Sequence, residues 1–202
     1  MKMIYSLVAV LIIFSGVIIP PNSGACIPVK TGMYVDRVGG DLNKGETVES
    51  KPVKIGLFGI GLDTYWGQFP GLRQRLEGYQ KNIKSQLAKT GAEVIDAGMV
   101  DNVEKAREAA ELFKEKDVRL IFLYVSTYAL SSTVLPVVQR TRVPVVVLNL
   151  QPQKAIDYSW FNSLSDRGKM TGEWLAFCQA CSVPEIANVF NRARGSFHQI
   201  TG

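Results

Sequence analysis

From residue 52 onward, short apolar runs alternate with longer segments in which apolar residues return every three or four positions. Runs of this length, bounded by glycine, proline or charged residues, predict strands that are buried on both faces. The longer segments place their apolar residues along one stripe of a helix. The predicted strands span residues 53–60, 92–97, 118–125 and 143–150, and the predicted helices between them span residues 72–90, 101–116 and 130–141.

This alternation predicts a parallel sheet with helices on both faces. Because crossovers between parallel strands are right-handed, the fold class is a doubly wound α/β layer of the Rossmann or flavodoxin type. Residues 165–180 and 184–194 are predicted helices, and residues 197–201 are a predicted strand. A doubly wound sheet normally continues further, so we interpret the chain as incomplete. We expect an N-terminal α/β domain at residues 52–182 and the start of a second, truncated domain at residues 183–202.

The first 25 residues have a different pattern. Lys2 precedes a nearly unbroken apolar run at residues 4–19, and small residues and prolines follow up to Cys26. This order predicts a secretory signal peptide or an uncleaved signal anchor, and therefore export or attachment to a membrane. The alternative is a cytoplasmic protein whose translation begins at Met33. Residues 26–51, rich in glycine and charged residues, are predicted to be a flexible linker.

Charge and cysteine content exclude two classes of protein. The 23 basic residues exceed the 18 acidic ones, but they form no basic stripe with interleaved aromatics, so we expect no nucleic-acid partner. Three cysteines are too few for a disulfide-stapled scaffold.

Cys178 and Cys181 form a C-x-x-C pair at the far end of a predicted helix, where the helix dipole opposes a thiolate, and we interpret them as two buried thiols. A zinc site would need two further ligands, and the chain has one histidine, His198.

Candidate binding residues follow the predicted strands. In doubly wound folds, ligands gather at the carboxyl ends of the strands, and here those ends are more polar than the strands and carry aromatic rings. Aromatic rings beside amide, hydroxyl and carboxylate groups suit a sugar, because the rings stack on its C–H face while the polar groups bond its hydroxyls. The predicted sugar-contact residues are Asp63, Tyr65, Trp66, Gln68, Tyr128 and Gln151.

Nucleotide cofactors are disfavoured at the same place. Gly59 and Gly61 lack the third glycine of the dinucleotide-binding turn, since Thr64 stands where it would fall. No Gly-Lys-Ser/Thr sequence follows the first strand, so a phosphate-binding P-loop is also absent from the sequence.

The sequence KIGLFGIGLDTYWGQFP at residues 54–70 resembles the opening strand and loop of L-arabinose isomerase and L-fucose isomerase-like proteins. Thr127-Tyr128, residues 145–151 and residues 181–202 resemble later segments of the same family in the same order. The resemblance covers residues 52–202, which correspond to the opening part of a much longer enzyme.

This resemblance implies the substrate-side domain of a metal-dependent aldose–ketose isomerase acting on a pentose or deoxyhexose. Family members use Mn²⁺ or a similar ion held by Glu and His residues, work as cytoplasmic homo-oligomers, and carry those ligands in later domains. The fragment would then bind no metal and be inactive alone. Characterised arabinose isomerases carry Gln and Leu where Asp63 and Tyr65 fall, so the sugar stays open.

A type I periplasmic sugar-binding protein is the alternative. Such proteins share the strand–helix rhythm and begin with a signal peptide, and residues 165–175 are similar to the helix that follows their fourth strand. The loop at residues 66–70 and the segment at residues 183–202 favour the isomerase.

Overall fold

The computed structural model describes residues 51–202, in which five parallel strands form one sheet. The predicted leader, and the predicted linker except for Lys51, lie outside the described residues. No helix within residues 51–202 is both long and apolar enough to cross a membrane. The strands are β1 (Lys54–Ile60), β2 (Glu93–Val100), β3 (Leu120–Tyr124), β4 (Val145–Asn149) and β5 (Phe197–Thr201).

The strand order β2-β1-β3-β4-β5 confirms the predicted doubly wound α/β fold. Seven helices connect the strands within the described residues: α1 (Thr64–Gln68), α2 (Leu72–Ala88), α3 (Val103–Glu115), α4 (Ser131–Thr141), α5 (Tyr158–Ser163), α6 (Arg167–Leu175) and α7 (Val183–Arg192). The first turn after β1 is thus already helical, where the sequence predicted a loop. The other early helices and all five strands lie within a few residues of their predicted positions.

Two apolar clusters lie on opposite faces of the sheet. The larger joins α3, α4 and α7 to side chains such as Phe58, Leu123 and Val147, all of them buried. The smaller joins the first turns of α2 to Met99, Leu175 and the aromatic rings of α1. Met99 and Val100 are adjacent on β2 and belong to different clusters, as alternation along a strand requires.

Two glycines of β1 let helices approach both faces of the sheet. A Cβ on Gly56 would lie 2.9 Å from the Phe113 ring of α3. A Cβ on Gly59 would collide with the side-chain oxygen of Gln80, which is buried on α2. Gly59, which was compared with a dinucleotide fingerprint, therefore serves helix–sheet packing, as Gly56 does.

The segment between β4 and β5 departs most from prediction. The single helix expected over residues 165–180 ends at Leu175, and the short helix α5 precedes it. Residues 176–182 form a turn because the buried Gln179 side chain donates to the carbonyls of Ser126 and Ala176, at 2.9 and 2.7 Å. Those bonds direct the chain toward the end of β3 instead of along the axis of α6.

Residues 183–202, which the sequence assigned to the start of a second domain, extend the same sheet. Here α7 packs in the larger apolar cluster, and β5 pairs with β4 from Val145↔Phe197 to Asn149↔Thr201. Residues 52–202 form one compact unit in the structure.

Candidate functional site

The carboxyl ends of β1, β2 and β3 meet beside helix α1. Asp63 caps the start of α1 and is exposed, and its backbone N–H donates to the carbonyl of Asp101 at 3.3 Å. A second link joins the two loops, since the backbone N–H of Gly61 donates to the carbonyl of Val100 at 3.2 Å. The loop after β1 is therefore fastened to the end of β2.

Trp66 has a structural role in this arrangement. Its indole N–H donates to Asp101 Oδ2 at 2.7 Å, and its ring lies so close to Gly61 that a Cβ there would approach it to 2.7 Å. The guanidinium of Arg73 lies 5.9 Å from the centre of the same ring. The polar atom of Trp66 is thus engaged within the protein, and the side chain holds α1 against the end of β2.

Asp101 belongs to this edge of the sheet, although the sequence pattern assigned it to a helix. Asp101 begins the helix predicted over residues 101–116, but in the structure Asn102 is the cap of α3, accepting from the backbone N–H of Lys105 at 3.0 Å. The fully buried carboxylate of Asp101 instead bonds Trp66 and accepts from Lys105 Nζ at 2.6 and 2.8 Å. Asp101 directly follows β2. The predicted sugar-contact residues were identified because they follow the carboxyl ends of strands, so the same rule could have identified Asp101.

Tyr65, which follows β1, lies near enough to Tyr128, which follows β3, to interact with it electrostatically. Partial burial, and then the nearby Tyr128, raise the pKa of Tyr65 above its ordinary value. The Tyr65 ring also meets Phe69 and Trp66 edge-on, with ring centres 5.9 and 6.4 Å apart. At neutral pH the Tyr65 hydroxyl is therefore a protonated group that can donate a hydrogen bond.

The two predicted glutamines lie apart. Gln68 is exposed, and its Nε2 donates to the carbonyl of Thr64 at 2.9 Å. Gln151 is exposed at the end of β4, where its backbone N–H donates to the carbonyl of Gly202 at 2.7 Å. Because β3 lies between β1 and β4, those strands are about 10 Å apart. The six predicted residues therefore share one edge of the sheet without forming one cluster.

A cavity of about 640 Å³ opens beside α1, between the start of α2 and helices α5 and α6. Gln68 is the one predicted residue that lines it. Two aromatic side chains, Phe69 and the exposed Trp160, stand on its walls together with Arg75, Lys169 and Glu173. Trp160 was not predicted, because it lies in a segment that the sequence pattern did not assign to any element.

The charges around this cavity balance. Arg75 Nη1 and Glu173 Oε2 are 2.6 Å apart, and Arg75 Nε donates to the Tyr79 hydroxyl at 2.8 Å. Although burial opposes its charge, these two bonds raise the pKa of Arg75. Lys169 and Asp166 add one charge of each sign to the lining. A balanced lining favours a neutral polar ligand over a phosphorylated one.

One further acceptor lies at the carboxyl end of β4. Asn149 is 8% exposed, and its Nδ2 lies 3.5 Å from Thr201 Oγ1. Its Oδ1 is buried and has no hydrogen-bond partner among the described residues. A buried acceptor left in this way costs stability unless water or a ligand hydroxyl donates to it.

The two cysteines of the C-x-x-C pair differ from the predicted pair of buried thiols. Cys178 and Cys181 are joined by a disulfide in the turn between α6 and α7. Cys178 is buried, but Cys181 is exposed. The pair lies just ahead of the amino terminus of α7, because α6 ends at Leu175 and not beyond the cysteines.

The described residues do not fit a Mn²⁺ site. Within residues 51–202, no group of three or more His, Cys, Asp or Glu side chains is arranged to hold a metal ion. No step of a metal-dependent reaction can therefore be assigned to these residues.

No protein-family model matches the chain, and no curated protein matches it.

Proposed function

We propose that residues 52–202 form the substrate-side domain of a metal-dependent aldose–ketose isomerase of the L-arabinose/L-fucose type. In this proposal the domain contacts a pentose or deoxyhexose, and the metal ligands lie outside the described residues. The resemblance of residues 54–70 to that family supports the proposal, as does the doubly wound fold that the family's opening domain requires. The proposal also implies a homo-oligomer in which this domain faces a catalytic part.

The cavity beside α1 is the observation that carries the proposal. Its volume of about 640 Å³ lies within the range of small-molecule sites. Phe69 and Trp160 offer apolar surfaces for the C–H face of a sugar ring, and Gln68 offers an amide for its hydroxyls. The balanced charges of Arg75 and Glu173 suit an uncharged polyol.

The rest of the edge supports the same ligand chemistry. The protonated hydroxyl of Tyr65 is a donor, and the Oδ1 of Asn149, which has no partner within residues 51–202, is an acceptor. Sugar hydroxyls both donate and accept, so a sugar or its ordered waters can satisfy groups of both kinds. Asp63, exposed where characterised arabinose isomerases carry Gln, adds an acceptor-only group at this edge.

A type I periplasmic sugar-binding protein is the second candidate. Helix α6 (Arg167–Leu175), which is similar to a helix of those proteins, contributes Lys169 and Glu173 to the cavity. That proposal differs from the first in one measurable respect. A binding protein must hold its sugar tightly without metal, whereas a substrate-side domain contributes only part of an enzyme site.

The test is a calorimetric titration of the full chain with L-arabinose and L-fucose, with and without Mn²⁺. We expect binding of one of these sugars with a dissociation constant of the order of millimolar, unchanged by the metal, and no conversion of aldose to ketose. Micromolar binding without metal would favour the periplasmic protein. Turnover by this chain alone, or no binding at tens of millimolar sugar, would contradict the substrate-side assignment.

Two tryptophans give a matched control. Trp160 lines the cavity and is 44% exposed, while Trp174 is 48% exposed and is not part of the lining. We expect Trp160→Ala to weaken sugar binding about fivefold, which corresponds to the loss of one aromatic stacking contact. Trp174→Ala should leave the affinity unchanged. Equal losses in both variants would locate the sugar elsewhere.

A further inference from the structure

The Cys178–Cys181 pair has a chemical asymmetry that the proposed sugar site does not use. The two cysteines are joined by a disulfide, but Cys178 is 1% exposed and Cys181 is exposed. Cys181 is therefore the more accessible of the two residues to a thiol in solution. Thiol–disulfide exchange depends on such access and on which sulfur is attacked.

Cys181 lies beside the amino terminus of the helix that follows. Cys181 lies one residue before Ser182, the cap of the ten-residue helix α7. The amino terminus of a helix stabilises a nearby anion, such as a thiolate. The sequence pattern predicts the opposite arrangement, with the pair at the far end of a helix, where the dipole disfavours a thiolate.

The turn that carries the disulfide is bonded to the end of β3. Gln179 Nε2 donates to the carbonyl of Ser126 at 2.9 Å, and Ser182 Oγ donates to the carbonyl of Thr127 at 3.4 Å. Thr127 Oγ1 in turn donates to the carbonyl of Leu175 at 2.7 Å. Tyr128, one of the predicted sugar-contact residues, follows directly in the chain.

We propose that Cys178 and Cys181 form a thiol–disulfide exchange site for small dithiols and glutathione, and that opening it loosens residues 176–182 from the end of β3. The thiolate of a dithiol attacks Cys181 Sγ, the Cys178–Cys181 bond breaks, and Cys178 leaves as a thiolate that takes up a proton. The second thiol of the dithiol then attacks the mixed disulfide and displaces Cys181. The protein gains two electrons and two protons, and the dithiol loses them as it becomes a cyclic disulfide.

Access to the two sulfurs is tested in the full chain carrying Cys26→Ser, which leaves only these two cysteines. The variants Cys178→Ser and Cys181→Ser are then treated separately with glutathione disulfide, and the mixed disulfide is followed by intact-mass spectrometry. We expect the remaining Cys181 to react at least about tenfold faster than the remaining Cys178, because only Cys181 is exposed. Equal rates in two variants that melt at the same temperature would overturn the proposal.

The two-cysteine chain itself gives the second measurement. Equilibration in glutathione buffers of increasing ratio should show a single reversible two-electron transition by mass, and reduction should speed amide hydrogen exchange in residues 176–183 but not in α3. A pair that stays as thiols in every buffer would refute the exchange site. A transition without any change in exchange would refute its coupling to β3. Both outcomes leave the sugar titration unaffected, so this inference can fail independently of the proposed function.

Discussion

The two walls of the cavity both follow strands of the same sheet, yet they are held in different ways. The wall that follows β1 is fastened through Trp66 and Asp101 to the end of β2, and its rings pack against the smaller apolar cluster. The wall that follows β4 contains α5, which like α1 has no fully buried residue but, unlike α1, belongs to neither of the two apolar clusters. Tyr158 and Trp160 of that helix are 65% and 44% exposed.

This difference indicates that the two walls differ in rigidity. A wall that shares hydrogen bonds and packing with the sheet keeps its geometry as long as the sheet is folded. A wall held by helix caps and few buried contacts can open locally at a low free-energy cost. We therefore expect the β1 wall to position a ligand and the β4 wall to adjust to it.

The largest effect should come from Asp101→Ala in the β1 wall. The change removes a fully buried carboxylate, so the Trp66 indole N–H and the Lys105 ammonium lose their partner. We expect the free energy of unfolding, measured in urea, to fall by about 3 kcal/mol, near the lower end for breaking a buried pair because Lys105 can hydrate. The control is Glu104→Ala, an exposed acidic residue three positions further on. A loss no larger than that of the control would show that Asp101 does not fasten the wall.

Gly61→Ala should disturb the same wall by crowding. A Cβ at residue 61 would lie 2.7 Å from the Trp66 ring, which Asp101 prevents from moving freely. Overpacking of this kind should cost about 1.5 kcal/mol and change the tryptophan fluorescence. Gly67→Ala is the matched control, since nothing lies within 4 Å of its added Cβ. Because Gly67 lies within α1, alanine there should slightly stabilise the protein. If both substitutions have the same effect, the contact with Trp66 is not tight.

The β1 wall was also the more predictable of the two from sequence. The sheet could be predicted because strands that are buried on both faces, such as β1, are continuous apolar runs in the sequence. Residues directly after such a strand must lie at its carboxyl edge, so Asp63, Tyr65 and Gln68 could be placed there from the sequence. The hydrogen bond that fastens this wall could not be predicted, because Trp66 and Asp101 are 35 positions apart in the chain.

The β4 wall could be predicted much less well from the sequence. Helix α5 has six exposed or half-exposed residues, so it shows no apolar stripe, and Trp160 could not be assigned to a site. The disulfide was missed for a related reason. The end of α6 at Leu175 is set by bonds from Gln179 to a distant strand, and local periodicity carries no information about such bonds.

The pH dependence of the free energy of unfolding tests the burial of Tyr124 at this edge. Burial is the main cause that raises the pKa of Tyr124 above the ordinary value of 10.0. The folded protein therefore keeps a proton that the unfolded chain loses above pH 10, so stability must fall as the pH rises past that point. Between pH 9 and pH 11 we expect the wild type to lose about 1.4 kcal/mol more than Tyr124→Phe does in urea unfolding. Groups other than Tyr124 titrate in both proteins and cancel in this difference, so parallel profiles would contradict the assignment.

The smallest effect should come from removing the cap of α5. Asp157 accepts from the backbone N–H of Trp160 at 3.0 Å, and Asn102 accepts from the backbone N–H of Lys105 at the same distance. The two caps are alike, but α3 packs into the larger cluster whereas α5 buries no residue. Asn102→Ala should therefore lower the free energy of unfolding by about 1 kcal/mol, the ordinary value of a cap, because α3 cannot fray without losing its packing.

In Asp157→Ala the helix α5 can fray while the sheet stays folded, so the global loss should stay below about 0.5 kcal/mol. The effect should instead appear locally, as faster amide exchange at residues 158–163 and as altered Trp160 fluorescence. If Asp157→Ala destabilised the whole protein as much as Asn102→Ala does, the β4 wall would be as firmly coupled to the sheet as the β1 wall. A ligand in the cavity would then meet two fixed walls, and its affinity would not depend on this cap. If the β4 wall adjusts, Asp157→Ala should lower the affinity, because binding must then also order α5.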